Sequence, residues 1–387
     1  MKSRPLGGNQ IDLLRDGTEY FPALVEAIAA ARREVLLETY IFESDATGLA
    51  VMQALRDAAA RGVIVRVLVD GFGAAQFVTR WVEPLGRDGV EVQVFRRELR
   101  LFALRRHRLR RMHRKLALVD GEVAFVGGIN VIDDVDARAP APPRFDFAVR
   151  VRGPLVMRIH AAMARLWRLV SWASLRRRPV FQNWVTPARR RVGDMRAEFL
   201  VRDNLRHRRD IETAYVAAIR RAREDILIAN AYFFPGRAFS RALTDAAARG
   251  VRVRVLLQGK VEYWLQYHAC RVLYPHLVRD GVEVIEYRKS FLHAKVAVID
   301  GTWATVGSSN IDPFSLLLAR EANVVVHDAG FTATLREALE HAIAEGGVEL
   351  TADHWVRLGW WQRLIDWAAY GFVRVMMGVA GLTRAAD

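Results

Sequence analysis

Cysteine is nearly absent: Cys270 is the only one among 387 residues. A disulfide scaffold and a Cys-based zinc site are thereby excluded. Lysine is scarce too, since of 58 basic residues only five are lysine, at positions 2, 115, 260, 289 and 295. No uncharged run of about 18 or more apolar residues occurs, so a conventional spanning helix is not expected. The opening MKSRPLGGNQIDLLRDG has no apolar stretch of the kind a secretory signal needs. What is present is a surplus of arginine and a net charge of +15. That balance suits a polyanionic partner: nucleic acid, anionic lipid or a phosphorylated substrate. Hydrophobic residues make up 52% of the chain, which is ample for a packed core.

The chain repeats itself. DAAARGVIVRVLVDG from Asp57 returns as DAAARGVRVRVLLQG from Asp245. DGVEVQVF from Asp88 returns as DGVEVIEY from Asp280, and HRKLALVDGEVAFVGGIN from His113 as HAKVAVIDGTWATVGSSN from His293. The order is the same each time: strand, helix, strand, helix, strand, motif hairpin. VLLETYIF at 35–42 is a short apolar run of strand type, and LAVMQALRDAAARG at 49–62 has helical spacing with Gly62 as its stop. Alternating strands and helices predict an α/β fold: two pseudo-twofold-related α-β-α sandwich halves whose sheets are mostly parallel and pack together. The expected division is a first half at 1–175, a linker at 176–203, a second half at 204–345 and a Trp-rich tail at 346–387. Prolines and arginine runs at 176–191 mark the join.

His113 and Lys115 are two residues apart, so on a strand they share a face, as do His293 and Lys295. A chain that otherwise uses arginine keeps lysine at these two matched places, where a compact ammonium is suited. Each strand ends in Asp-Gly, at Asp120-Gly121 and Asp300-Gly301, a strong hairpin signal. Each second strand ends in a small-residue segment closing on Asn130 or Asn310. Two copies facing each other bring two His, two Lys and two Asn to one point. One imidazole can attack phosphorus while the other protonates the leaving alkoxide. The ammoniums, the Asn amides and Ser308 then hold the phosphate oxygens. No metal and no cofactor are called for.

The paired HxKxxxxD…GxxN pattern resembles the phospholipase D superfamily. Within it, ETYIF at 38–42, AYFFP at 231–235, RFDFAVRVRGP at 144–154 and GSSNIDPFS at 307–315 are similar to bacterial cardiolipin synthases of the kind without N-terminal membrane spans. The resemblance implies a phosphatidyltransferase joining two phosphatidylglycerols into cardiolipin, with glycerol released and a phosphohistidine between. It also implies that acids downstream of each motif, Asp146 after His113 and Glu321 after His293, orient the imidazoles. Asp120 and Asp300 belong to the motif's catalytic set, but their opposite strand parity predicts that they hold the turn. Which imidazole attacks is left open, with His113 favoured.

The tail from Trp355 mixes Trp, Tyr and Phe with arginine, which suits a helix in the lipid interface or one packed on the protein's own core. The basic stretch from Arg96 to Lys115 offers a second lipid contact or a solvated loop. The expected partners are phosphatidylglycerol and a membrane surface, with peripheral or monotopic attachment on the cytoplasmic side. Nucleic acid is not expected, because no stacking or groove-reading element is evident. A hydrolytic phospholipase D, a nuclease and a non-catalytic lipid scaffold are the competing readings. Oligomeric state is not legible, though one chain carries both motifs of a complete site.

Overall fold

The computed structural model describes residues 4–96, 110–133, 142–174, 184–187, 190–203, 206–312, 319–351 and 359–379. The first half runs β1 (Leu6–Arg15), α1 (Asp16–Ala29), β2 (Glu34–Thr39), α2 (Ala46–Ala60), β3 (Ile64–Asp70), α3 (Ala75–Arg87), β4 (Glu91–Phe95), β5 (Lys115–Val119), β6 (Val123–Gly127), β7 (Phe147–Arg152) and α4 (Leu155–Ala173). The second half repeats it as β8 (Met195–Arg202), α5 (Asp210–Arg221), β9 (Asp225–Asn230), α6 (Arg237–Ala248), β10 (Arg252–Gln258), α7 (Trp264–Arg271), α8 (Tyr274–Arg279), β11 (Val282–Tyr287), β12 (Lys295–Ile299), β13 (Trp303–Gly307), β14 (Glu321–His327) and α9 (Ala329–Gly346). A short β15 (Gly347–Glu349) and a terminal α10 (Trp360–Val379) follow.

The strands form one series, β15-β11-β10-β9-β12-β13-β14-β8-β1-β7-β6-β5-β2-β3-β4. Its two arms have equivalent order, meeting where β1 pairs with β8. The α/β class and the two related halves are as expected from the sequence. The expectation of mostly parallel sheets needs correction. Only β2-β3-β4 and β9-β10-β11 are parallel. There a helix crosses over between strands. The motif strands are joined by tight turns, which can only connect antiparallel neighbours. The stretch expected as linker, 176–203, contains β8, a central strand paired to both β14 and β1. Of that stretch, 176–183 and 188–189 lie outside the described residues, as do 97–109 of the basic segment.

Alternation along the motif strands builds two cores at once. Leu116 and Leu118 of β5 and Val126 of β6 face Val296 and Val298 of β12, and Ala304 and Val306 of β13, in a cluster between the halves. Ala117, Val119 and Phe125 point the other way, under α1 and α2. Ala297, Ile299 and Trp303 do the same under α5 and α6. The covering helices also reach across: besides the strands of its own half, α4 packs on β8 and α9 packs on β1.

Each Asp-Gly turn has both residues at positive φ, 52° and 68° at Asp120 and Gly121, 47° and 63° at Asp300 and Gly301. The Asp120 carboxylate accepts hydrogen bonds from the backbone N–H groups of Arg32, Arg33 and Glu34 at 2.9, 2.7 and 2.9 Å. Asp300 does the same for Arg223, Glu224 and Asp225. These aspartates fasten the hairpin to the start of the neighbouring strand, β2 or β9. They sit at the far end of β5 and β12 from the histidines, so their inclusion in a catalytic set is corrected and the turn-holding expectation stands.

Helix α10 has two faces. Asp366 binds His268 at 2.5 Å and Arg271 at 3.5 Å, Tyr370 stacks on Phe234, and Ala369 and Val373 are buried. Trp360, Trp361, Leu364, Trp367, Phe372 and Val375 are all more than half exposed. One side of the helix is thus packed on the protein's own core, and the other is left exposed. Trp355 lies outside the described residues. Among the described residues, no helix is long and apolar enough to cross a membrane.

Candidate active site

The chain entering β5 pairs with the chain entering β14, and the chain entering β12 with the chain entering β7. His113 donates its backbone N–H to the Arg320 carbonyl at 3.0 Å, and Arg320 donates to Arg111 at 2.7 Å. His293 donates to the Phe145 carbonyl, and Phe145 to that of Phe291, both at 2.9 Å. Met112 is bridged to Arg320, and Phe145 to Leu292. The residue after Arg320 is Glu321, and the residue after Phe145 is Asp146. Backbone pairing therefore delivers each acid to the imidazole of the opposite half.

His113 Nδ1 lies 3.0 Å from Glu321 Oε1, and His293 Nδ1 lies 2.6 Å from Asp146 Oδ2. A carboxylate can only accept, so each Nδ1 carries the proton and each Nε2 keeps its lone pair. The sequence order, with Asp146 after His113 and Glu321 after His293, suggested service within each half; the structure exchanges them. The carboxylates are 0% and 3% exposed, whereas the His113 and His293 side chains keep 18% and 15%, enough for a reactant to reach them.

The lysines stand behind the imidazoles. Lys115 Nζ donates to the His113 carbonyl at 2.7 Å. Lys295 Nζ lies 2.8 Å from His293 Nδ1 and 3.8 Å from Asp146, and also donates to the His293 carbonyl. Burial, with the charge of Lys295 adding to it, pulls Lys115 down to about 7, and burial, with the charge of Arg144 adding to it, pulls Lys295 down to about 8. Burial also lowers both histidines, that of His293 to about 4 with Lys295 adding to it. Burial opposes ionisation of Asp146, yet Lys295 and His293 hold it below the ordinary aspartate range. Glu321 is lowered in the same way, against its burial, by His113 and Lys115. The cluster is built to hold both acids ionised and both imidazoles neutral.

The two halves differ in detail. Ser308 donates to Glu321 Oε2 at 2.5 Å and accepts from the Ala322 N–H at 3.1 Å. Expected on the phosphate, Ser308 instead fixes the acid that fixes His113. Its counterpart is Gly128, where the Asp146 carboxylate fills the space a Cβ would occupy. A shorter acid with a glycine replaces a longer acid with a serine. Asn130 is buried and its Oδ1 accepts from Ile41 N–H at 3.2 Å. Asn310 is buried too, and its Oδ1 has no hydrogen-bond partner among the described residues.

Further groups stand at the site, among them Tyr40 and Tyr232, which recur at one strand position and can either pack in the core or line the pocket rim. The Tyr40 ring meets the His113 ring edge-on at 4.9 Å and lies 5.5 Å from Lys115 Nζ. Tyr232 donates to Glu262 at 3.0 Å, and Arg144 binds Glu262 at 2.7 Å; the Glu262 charge acts on His293 and Lys295. The recurrence of Tyr40 and Tyr232 was the available signal. Glu262 lies in an unrepeated segment and gave none.

Two duplicated α/β halves sharing one His–Lys cluster define a phospholipase D-like protein. A family model described as "Cardiolipin synthase, PLD-like domain" matches residues 24–134 and 215–343. Cardiolipin synthase B of Escherichia coli strain K12 is 38% identical over 97% of this chain and 90% of its own length. A probable cardiolipin synthase of Bacillus subtilis is 31% identical over 96% and 72%. The chain belongs to the cardiolipin synthase family of phospholipase D-like proteins. A phosphatidylserine synthase of Haemophilus influenzae shares the fold, with a TM-score of 0.71 at 14% identity over 98% of this chain and 96% of that one.

The exchange has a direct test. Glu321→Gln removes a charge that raises the proton affinity of His113, so the pKa of His113 should fall further while that of His293 moves less. Asp146→Asn should do the reverse. Histidine-resolved NMR titration reads both. A Glu321→Gln effect centred on His293 would refute the exchanged pairing.

Proposed function

We propose that this chain is a cardiolipin synthase working through a phosphohistidine. The single observation behind the reading is the pair of imidazoles, each held at Nδ1 by a buried carboxylate and left with a free Nε2. A phosphatidylglycerol phosphodiester sits between them. One Nε2 attacks phosphorus, forming a P–N bond as the P–O bond to glycerol breaks. The bound anion raises the proton affinity of the second imidazole, whose Nε2 takes up a proton from solvent as the substrate binds and gives it to the departing glycerol. That imidazole then takes the proton from a hydroxyl of a second phosphatidylglycerol. The oxygen attacks phosphorus, the P–N bond breaks, and cardiolipin leaves with the first imidazole restored.

Both imidazoles are neutral at pH 7, so either can attack. Lys115 and Lys295 offset the charge that develops on the phosphate oxygens. We assign the amide of Asn130 and that of Asn310 to the same oxygens. Ser308 acts through Glu321, and Asp120 and Asp300 act through the turns. Water attacking the same intermediate would give phosphatidic acid, which is the hydrolase alternative. The exposed side of α10 supports work at a membrane surface: Trp360 and Trp361 stack at 3.8 Å on a face that covers nothing among the described residues. The attachment is peripheral, on the cytoplasmic side, with the buried side of α10 holding the enzyme to its own anchor.

Purified protein with phosphatidylglycerol vesicles should yield cardiolipin and glycerol, resolved by mass spectrometry. His113→Ala and His293→Ala should each cut the rate by at least about 10⁴-fold with unchanged circular dichroism. Phosphatidic acid alone would leave a hydrolase; full activity in either variant would sink the shared site.

The rate profile should have two limbs. A histidine with a lowered pKa stays neutral until the pH falls to that value, so with His293 as the attacking imidazole kcat/KM should drop near pH 4 as it takes a proton, and a rate that holds through pH 4 assigns the attack to His113. A lysine with a lowered pKa is charged only below it, so kcat/KM should also fall above about 7 as Lys115 loses its proton. Activity flat to pH 10 would contradict the role given to Lys115.

Replacing Trp360, Trp361 and Trp367 together by Asp should weaken sedimentation with phosphatidylglycerol vesicles by at least about tenfold. Turnover of detergent-dispersed substrate should change little. Unaltered sedimentation would remove α10 as the anchor.

A further inference from the structure

A cavity of about 710 Å³ opens beside β4, between α3 and α4. That falls within the ~300–1,000 Å³ usual for small-ligand sites. Val82, Val94, Leu169, Val170 and Ala173 give it apolar walls. At one end stand Phe95, Arg96 and Arg320. Arg320 Nε and Arg96 Nη1 are buried, and neither has a hydrogen-bond acceptor among the described residues. Buried guanidinium groups are ordinarily paired, because leaving them unpaired is costly.

The surroundings do not make up the deficit. Arg320 falls to about 10 through burial and then the like charge of Arg114, with Arg96 also contributing. Arg96 is lowered by burial and then by Arg110 and Arg111. Of the acids near Arg320, Asp203 and Glu38, the latter is already bound by Arg114 at 2.8 Å. Arg96 also holds φ at 52°, an uncommon backbone state for arginine. Asp70 and Asp203 act on Arg96 and Arg320 from nearby without accepting from Arg96 Nη1 or Arg320 Nε, and the walls are mainly apolar with Gln93 and Ser174 as their polar members.

Its position is specific. Arg320 immediately precedes Glu321, which holds His113, and the Arg320 carbonyl accepts the His113 N–H. The reaction proposed above, on which this inference rests, brings two phosphates together: the one under attack and the one the acceptor lipid already carries. The lysines serve the first, and the second needs other cations. We propose that the cavity is the acceptor-lipid subsite, with an acyl chain of phosphatidylglycerol between α3 and α4 and its unreacted phosphate on Arg96 and Arg320.

The test uses the full chain and phosphatidylglycerol with a diazirine near the end of one acyl chain, dispersed in phosphatidylcholine vesicles. Irradiation and peptide mass spectrometry should place label on the Leu169–Ala173 segment or around Val82. Ala173→Trp fills the cavity from an exposed position and should reduce that label at least tenfold. It should also shift products from cardiolipin toward phosphatidic acid while glycerol release continues. Arg96→Gln leaves the walls intact and should raise the phosphatidylglycerol concentration for half-maximal cardiolipin formation at least fivefold, with glycerol release less affected. Label confined to other segments, or an unchanged product ratio in both variants, overturns the proposal. Labelling requires no turnover, so a protein that labels here yet forms no lipid product counts against the proposed reaction and not against lipid in the cavity.

Discussion

The interaction on which the rest depends is the exchange of acids between the halves. His113 is held by Glu321 and His293 by Asp146, each pair across the pseudo-twofold axis. A buried carboxylate is tolerated only where charge and hydrogen bonds compensate it. Here compensation arrives from the other half of the chain. The backbone bridges Met112–Arg320 and Phe145–Leu292 set the register that makes this possible, and the shared core of Leu116, Leu118, Val296 and Val298 keeps the two motif hairpins face to face. A half taken alone would hold an imidazole with no acid and an acid with no imidazole.

Neutrality at the centre follows from the same arrangement. Two ammoniums and two carboxylates balance, leaving the imidazoles uncharged and ready to accept a phosphodiester. The balance is uneven in structure. Glu321 is reached by a serine hydroxyl, whereas Asp146 takes the Phe147 N–H at 2.8 Å and lies over a glycine. Lys295 also touches its own imidazole, and Lys115 has the Tyr40 ring nearby. In the proposed cycle, attack and protonation would therefore fall to sites of related but unequal chemistry.

Much of this was legible in the chain itself. The spacing of His113–Lys115 and His293–Lys295 fixed a common face, Asp-Gly marked the turns, and three ordered repeats announced two α/β units. The exchange was not legible, because a duplicated sequence carries no mark of whether a contact lies within a copy or between copies. Ser308 was misplaced because a hydroxyl beside a phosphate-type loop looks like a ligand until the pairing of β14 with β13 brings Glu321 to it. β8 was hidden by its arginine-rich approach, although MRAEFLVR buries Ala197, Phe199 and Leu200. The parallel content was overestimated because helix-linked strands dominate the repeat while the hairpin strands supply more of the pairings. The aromatic content of α10 could be seen as composition, but its division into a packed and an exposed side needed the Asp366 contacts with α7.

Helices that reach across have a consequence for synthesis. β1 leaves the ribosome well before its neighbour β8, and before α9, which also packs on it, has been made. Until then the nascent first half carries an open strand edge and an unmatched apolar surface, a hazard for aggregation. The same delay is protective, since an interrupted translation product bears one unsupported imidazole and cannot cut the lipids around it.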